Sequence, residues 1–207
     1  MPPPPELVER RRQEIAEAAR NTFAARGYQA TGIADIAAVL GIGHGTFYRY
    51  FENKRDILVY LVGLTVGRIQ AALEAEDPTA PETLEEYREQ AQRIGAALFD
   101  VFVSEPDSAR LYFVEALAAD RELTEQMLAA QDLFAEIGAR YLRNGVAKGY
   151  LRADLDVATT ARAINGMIFA GALLVPSTTD PTRERDRWTN AITGLMFDGM
   201  AASGGDR

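Results

Sequence analysis

The sequence predicts an all-α protein of about nine helices. Apolar residues recur at spacings of three and four along most of its length. No alternating run is long enough to build a sheet, and glycines or prolines stand at several ends of the periodic segments, among them Gly27, Gly41, Pro106 and Gly149.

The elements follow in order. Residues 1–9 form a proline-rich tail expected to be disordered. Ile15, Ala18, Ala19, Thr22 and Phe23 mark a first helix that stops at Gly27. Ile33, Ile36, Ala37 and Leu40 mark a short second helix ended by Gly41, and Gly45–Tyr50 a third. A long fourth helix runs from about Asn53 to Ala75, and Asp77–Pro81 is a linker. Leu84, Tyr87, Ala91, Ile94, Leu98 and Val101 step along a fifth. Pro106, after the cap candidate Ser104, opens a sixth with Leu111, Tyr112, Val114 and Leu117. A seventh spans about Arg121–Ala147 and closes at Gly149. Asp154 or Asp156 caps an eighth reaching Val175, and the ninth spans about Pro181–Met200.

Composition excludes several chemistries. The 207 residues contain no cysteine and one histidine, His44. Disulfides, thiolate metal sites, cysteine nucleophiles and multi-histidine metal sites are therefore impossible, and a reducing cytoplasm suffices. No cofactor is expected. The run Arg10–Arg12 leads into Gln13 and Glu14 rather than an apolar stretch, so it does not read as a signal peptide. The longest charge-free run, Ala163–Thr179, has 17 residues and includes Asn165, two glycines and Pro176, short and polar for a membrane span.

The net charge is −8, which argues against nucleic acid until it is divided. Eight basic and seven acidic residues leave the first 60 at +1, and 14 basic and 23 acidic residues leave the remainder at −9. Such asymmetry suggests two parts with different partners.

Thr31–Leu58, TGIADIAAVLGIGHGTFYRYFENKRDIL, is the informative segment. Two short helices joined by a glycine turn form a helix-turn-helix, whose second helix enters the DNA major groove. Ile36 and Leu40 meet Ile42 and Phe47, with Phe23 and Phe51 closing the small core. His44, Gly45, Thr46, Tyr48 and Arg49 then face outward, small or hydrogen-bonding residues suited to base edges and phosphates. Lys54 offers a further phosphate contact. Arg10–Arg12 are either an arm toward DNA or a solvated helix end neutralised by Glu9 and Glu14.

The segment resembles the DNA-binding domain of the TetR/AcrR family of bacterial transcription regulators. Phe23, Gly27-Tyr28, Thr31, Ile36-Ala37, Leu40-Gly41-Ile42, Gly45-Thr46-Phe47-Tyr48, Tyr50-Phe51, Lys54 and Leu58 carry the likeness in order and spacing. The stretch Asn144–Arg152 with Asp154 and Asp156 resembles the family less specifically. The resemblance implies a helix-turn-helix domain over 10–58 and an effector-binding and dimerisation domain over 59–203. It assigns phosphate or base contacts to Thr31, His44, Gly45, Thr46, Tyr48, Tyr50 and Lys54. Gly32 and Gly43 stand where relatives often carry hydroxyls, so those contacts are absent here. In such proteins helices four to seven enclose a small effector and helices eight and nine form a homodimer. Here that implies a largely apolar effector among Tyr60, Phe99, Phe102, Tyr112, Phe113, Met127 and Phe134. It also implies an interface of Ala163, Gly166, Met167, Ala170, Gly171, Leu174, Trp188, Ile192, Leu195 and Met196.

The expected function is a DNA-binding repressor, homodimeric and cytoplasmic, released from a palindromic operator by a small molecule. Two rivals are weighed. An enzyme in the second part would lack cysteine, histidine and any glycine-rich phosphate loop. A helical ligand- or protein-binding dimer without DNA binding would have no use for Thr46, Tyr48 and Lys54.

Overall fold

The computed structural model describes residues 4–200, without the side chains of Pro176 and residues 198–200. Nine helices are present among the described residues, and no strand. They are α1 (Pro5–Arg26), α2 (Ile33–Leu40), α3 (His44–Phe47), α4 (Lys54–Glu74), α5 (Leu84–Val103), α6 (106–119), α7 (Arg121–Lys148), α8 (Val157–Leu174) and α9 (Pro181–Met200). Within α6 the residues Leu111–Glu115 form a π-helical turn, and a 3₁₀ turn over Val175–Ser177 follows α8.

Helix α1 begins at Pro5, so residues 5–9 are helical rather than part of a tail. Proline fits a first helical position, where its missing N–H would have no partner, and Glu6 favours the positive end of the helix. Residues 1–3 of that expected tail and residues 201–203 of the expected second domain lie outside the described residues. Helix α3 is shorter than expected. The chain continues past it in turns that keep the helical sense, with Tyr50 N–H donating to the Phe47 carbonyl at 2.9 Å.

Two compact units result: residues 4–65 with 107–125, and residues 66–106 with 126–200. Residues 59–65 and 107–125 belong to the second domain in the expected division at 58/59. Both segments pack instead with the first unit.

The first unit is built around Ile15, Ala19, Phe23, Ile36, Phe47, Phe51, Ile57 and Leu58, all nearly inaccessible to solvent. Between α2 and α3 the chain reverses at Gly41, whose φ of 61° is left-handed and favours a residue without a Cβ. In the second unit α5 packs along α9 and against α8. Thr83 caps α5 by accepting from the Glu86 N–H at 3.2 Å, and Asp156 caps α8 by accepting from Thr159 at 3.1 Å.

The Asn144–Arg152 stretch ties the end of α7 to the linker before α5. Asn144 Nδ2 donates to the Pro81 carbonyl at 3.2 Å, and Lys148 Nζ donates to the carbonyls of Thr79 and Pro81 at 2.8 and 2.9 Å. The returning chain lies directly on Gly145, where a Cβ would sit 2.6 Å from Leu151 and Tyr150 side-chain atoms. Gly145→Ala is therefore expected to cost about 1–3 kcal/mol through overpacking. The check is a lower urea midpoint at unchanged m-value.

Candidate nucleic-acid interface

A helix of four residues does not stand alone. Helix α3 is held by Phe47, which is fully buried, with the Phe51 ring centroid at 6.3 Å. With Phe47 turned inward, His44, Gly45, Tyr48 and Arg49 are exposed, and Thr46 and Tyr50 are half-buried. Arg49 has no carboxylate partner among the described residues. The start of α2 lacks a hydroxyl cap at Gly32. Asp35 compensates, its Oδ2 accepting from the Gly32 N–H at 2.8 Å and its Oδ1 accepting from Arg26 at 2.8 Å.

Three basic or polar residues serve the head rather than its surface. Thr31 is 2% exposed, and its hydroxyl donates to the Gly27 carbonyl at 2.8 Å, so it is not available to a phosphate as expected. Lys54 Nζ donates to the Tyr28 carbonyl at 2.7 Å and the Gln29 carbonyl at 3.3 Å, and lies 4.4 Å from the Tyr28 ring centroid. Two of its three donors are thus occupied in tying the α1–α2 loop to the start of α4. The Arg12 guanidinium covers Phe51 at 4.9 Å and Tyr60 at 5.0 Å. Arg10 and Arg11 pair with Glu14, in keeping with the solvated-helix alternative.

Sequence reasoning missed the cluster at Arg55. Its Nε donates to Asp120 Oδ2 at 2.6 Å, and its Nη2 reaches Asp120 Oδ1 at 3.2 Å and Glu122 at 3.0 Å. Asp120 also accepts from the Leu123 N–H at 2.8 Å, capping α7. These bonds bind segment 107–125 to the head, across 65 residues of sequence and with no local signal. The Arg55 guanidinium, then the Leu123 N–H, hold the Asp120 carboxyl down at about 2, below its ordinary 3.8.

Tyr60, expected in the effector pocket, also belongs to the head. Its hydroxyl donates to Glu9 at 2.7 Å, its ring lies edge-on to Phe51, and burial with the Glu9 carboxylate raises its pKa to about 12. Tyr112 and Phe113 likewise fall in the first unit.

The second unit contains an apolar cavity of about 80 Å³ between α5, α7, α8 and α9 and the end of α4. Of the seven residues expected to line a pocket, only Phe99 does so; Phe102, Met127 and Phe134 are buried core. Ile192 and Met196, expected at a dimer interface, line this cavity instead. Gly171 is also internal, since a Cβ there would lie 2.7 Å from Phe99 and 2.9 Å from Trp188. The other expected interface residues are exposed or half-buried: Ala163, Gly166, Met167, Ala170, Leu174, Trp188 and Leu195. Two described helices, Lys54–Glu74 and Val157–Leu174, are long and apolar enough to cross a membrane by length and composition alone.

The family profile described as "Bacterial regulatory proteins, tetR family" matches residues 15–61, which hold the head and its buried phenylalanines. The HTH-type transcriptional repressor KstR2 of Mycobacterium tuberculosis is 30% identical over 168 residues, 76% of this chain and 77% of that protein. The chain belongs to the tetR family. It is a DNA-binding transcriptional regulator, not an enzyme. The fatty acid metabolism regulator protein of Bacillus subtilis is 26% identical over 155 residues, 75% of this chain and 78% of that one. The transcriptional regulator FadR of Bacillus subtilis, solved with stearoyl-CoA, shares the fold at a TM-score of 0.66 and 22% identity, covering 90% of this chain and 98% of that one.

The Asp120 carboxyl gives a pH test. A carboxyl whose folded pKa is depressed stabilises the chain above its unfolded pKa and loses that contribution as pH falls through the folded one. Here the window is about pH 4 down to about 2. Asp120→Asn should lower the urea midpoint at pH 6, and the difference from the unsubstituted chain should shrink from about pH 4 and vanish only below about pH 2.

Proposed function

We propose that this regulator is a homodimeric repressor that reads a palindromic operator through α3 and is released by a small, largely apolar effector. The observation that carries the reading is the exposed set His44, Gly45, Tyr48 and Arg49 around a fully buried Phe47. Thr46 and Tyr50 extend that set, and the third donor of Lys54 remains for a phosphate. Base edges accept hydrogen bonds from such residues, while Arg49 supplies charge to the backbone.

Homodimerisation is supported by the exposed apolar faces of α8 and α9. Leu174 and Leu195 are 55% and 65% exposed in the single chain, beside Ala163, Gly166 and Ala170, whose small size allows close helix approach. Two α3 helices of a dimer would then read half-sites about one DNA turn apart. The effector site is the cavity of the second unit, whose lining is almost wholly apolar. The related FadR was solved with an acyl thioester, stearoyl-CoA, and KstR2 is described as a ketosteroid regulator. Both descriptions name molecules with a large apolar part, in keeping with such a lining. An effector that binds one conformation of the dimer better than the other shifts it away from the operator-binding form. A cytoplasmic location goes with this reading.

The test is selection of bound sequences from random DNA, followed by titration on the selected operator. The expected operator is a near-palindrome. Thr46→Ala should relax sequence preference at one base position of each half-site. Arg49→Ala should instead lower the slope of log affinity against log salt by about 0.9 per protomer. Folded, dimeric protein that selects no sequence would contradict the reading.

A further inference from the structure

The lining of the second-unit cavity carries no charged side chain. Of the four side-chain hydroxyls in that lining, two are engaged elsewhere. The Tyr141 hydroxyl donates to the Leu73 carbonyl at 2.6 Å, and the Thr193 hydroxyl donates to the Thr189 carbonyl at 2.8 Å. Tyr87 presents a ring packed against Tyr150 and Phe197.

Thr189 differs. It is 7% exposed, it lines the cavity, and its Oγ1 has no hydrogen-bond partner among the described residues. Other buried helical threonines donate to the carbonyl one turn back: Thr22 to Ala18, Thr65 to Leu61, Thr193 to Thr189. Thr189 leaves that option unused within α9. Its side chain instead faces Gly95, where an added Cβ would lie 3.2 Å from Thr189 Cγ2 and 3.9 Å from Oγ1. A buried hydroxyl without a partner is unfavourable unless something else satisfies it.

We propose that Thr189 Oγ1 is the polar anchor of the effector, and that the effector is a neutral, mainly apolar molecule presenting one hydroxyl or carbonyl oxygen. The proposal rests on the cavity being the effector site. A carboxylate placed against Thr189 would meet no cation in the lining, and burying such a charge unpaired is strongly unfavourable. The cavity's about 80 Å³ admits a small ring without rearrangement of the helices.

Calorimetric titration of the full chain with benzyl alcohol, toluene and benzoate tests both parts. Benzyl alcohol should bind at least about tenfold more tightly than benzoate. Thr189→Val, close in shape but without the hydroxyl, should weaken benzyl alcohol about fivefold to tenfold and leave toluene unchanged. Thr189→Ser should restore the alcohol. Thr189→Val should also raise the thermal midpoint of the ligand-free chain, because it removes the unsatisfied hydroxyl. Equal binding of benzyl alcohol by the unsubstituted chain and Thr189→Val would overturn the anchor while leaving the cavity as the effector site. Equal binding of benzoate and benzyl alcohol would overturn the neutral class. Failure of all three probes to bind the unsubstituted chain would overturn the cavity reading, and the anchor with it.

Discussion

The burial of Phe47 is the constraint on which the DNA-reading surface depends. Helix α3 has only four residues, too few to hold its own shape, and it persists because Phe47 is packed into the core of the first unit. That single inward side chain fixes the rotation of the helix. His44, Gly45, Tyr48 and Arg49 are outward because Phe47 is inward. The bonds around the head serve the same end. Lys54 ties the α1–α2 loop, Thr31 closes the end of α1, and Arg12 covers the outer faces of Phe51 and Tyr60.

Charge acquires a more local meaning in this frame. Several cations of the head are committed to carboxylates: Arg26 to Asp35, Arg55 to Asp120 and Glu122, Arg10 and Arg11 to Glu14. Arg49 stands apart from such pairs at the exposed end of α3. A net charge of −8 is therefore compatible with DNA binding, because what matters is which cation is free and where it sits.

Periodicity made most helices legible, and glycine and proline placed most of their ends. The helix-turn-helix was legible as well, since its apolar spacing and glycine turn are local. Other features are not local. The union of 107–125 with the head depends on Arg55 and Asp120, 65 residues apart. Aromatic spacing signals burial but not which core a ring enters, so Tyr60 and Tyr112 went to the first unit and only Phe99 to the cavity. On α8 and the later part of α9, small and apolar residues stand on both the buried and the exposed side. Composition alone therefore did not separate inward Gly171, Ile192 and Met196 from outward Leu174 and Leu195. Thr31 and Lys54 matched contact positions in the family pattern, yet in this fold their polar atoms bond the backbone of the head.

The most direct measurement is amide hydrogen exchange of the full chain with and without its selected operator. Slowed exchange across residues 43–50, with weaker protection at the start of α4, is the result expected if α3 reads the DNA. Unchanged exchange over 43–50 on a saturated operator complex would contradict it.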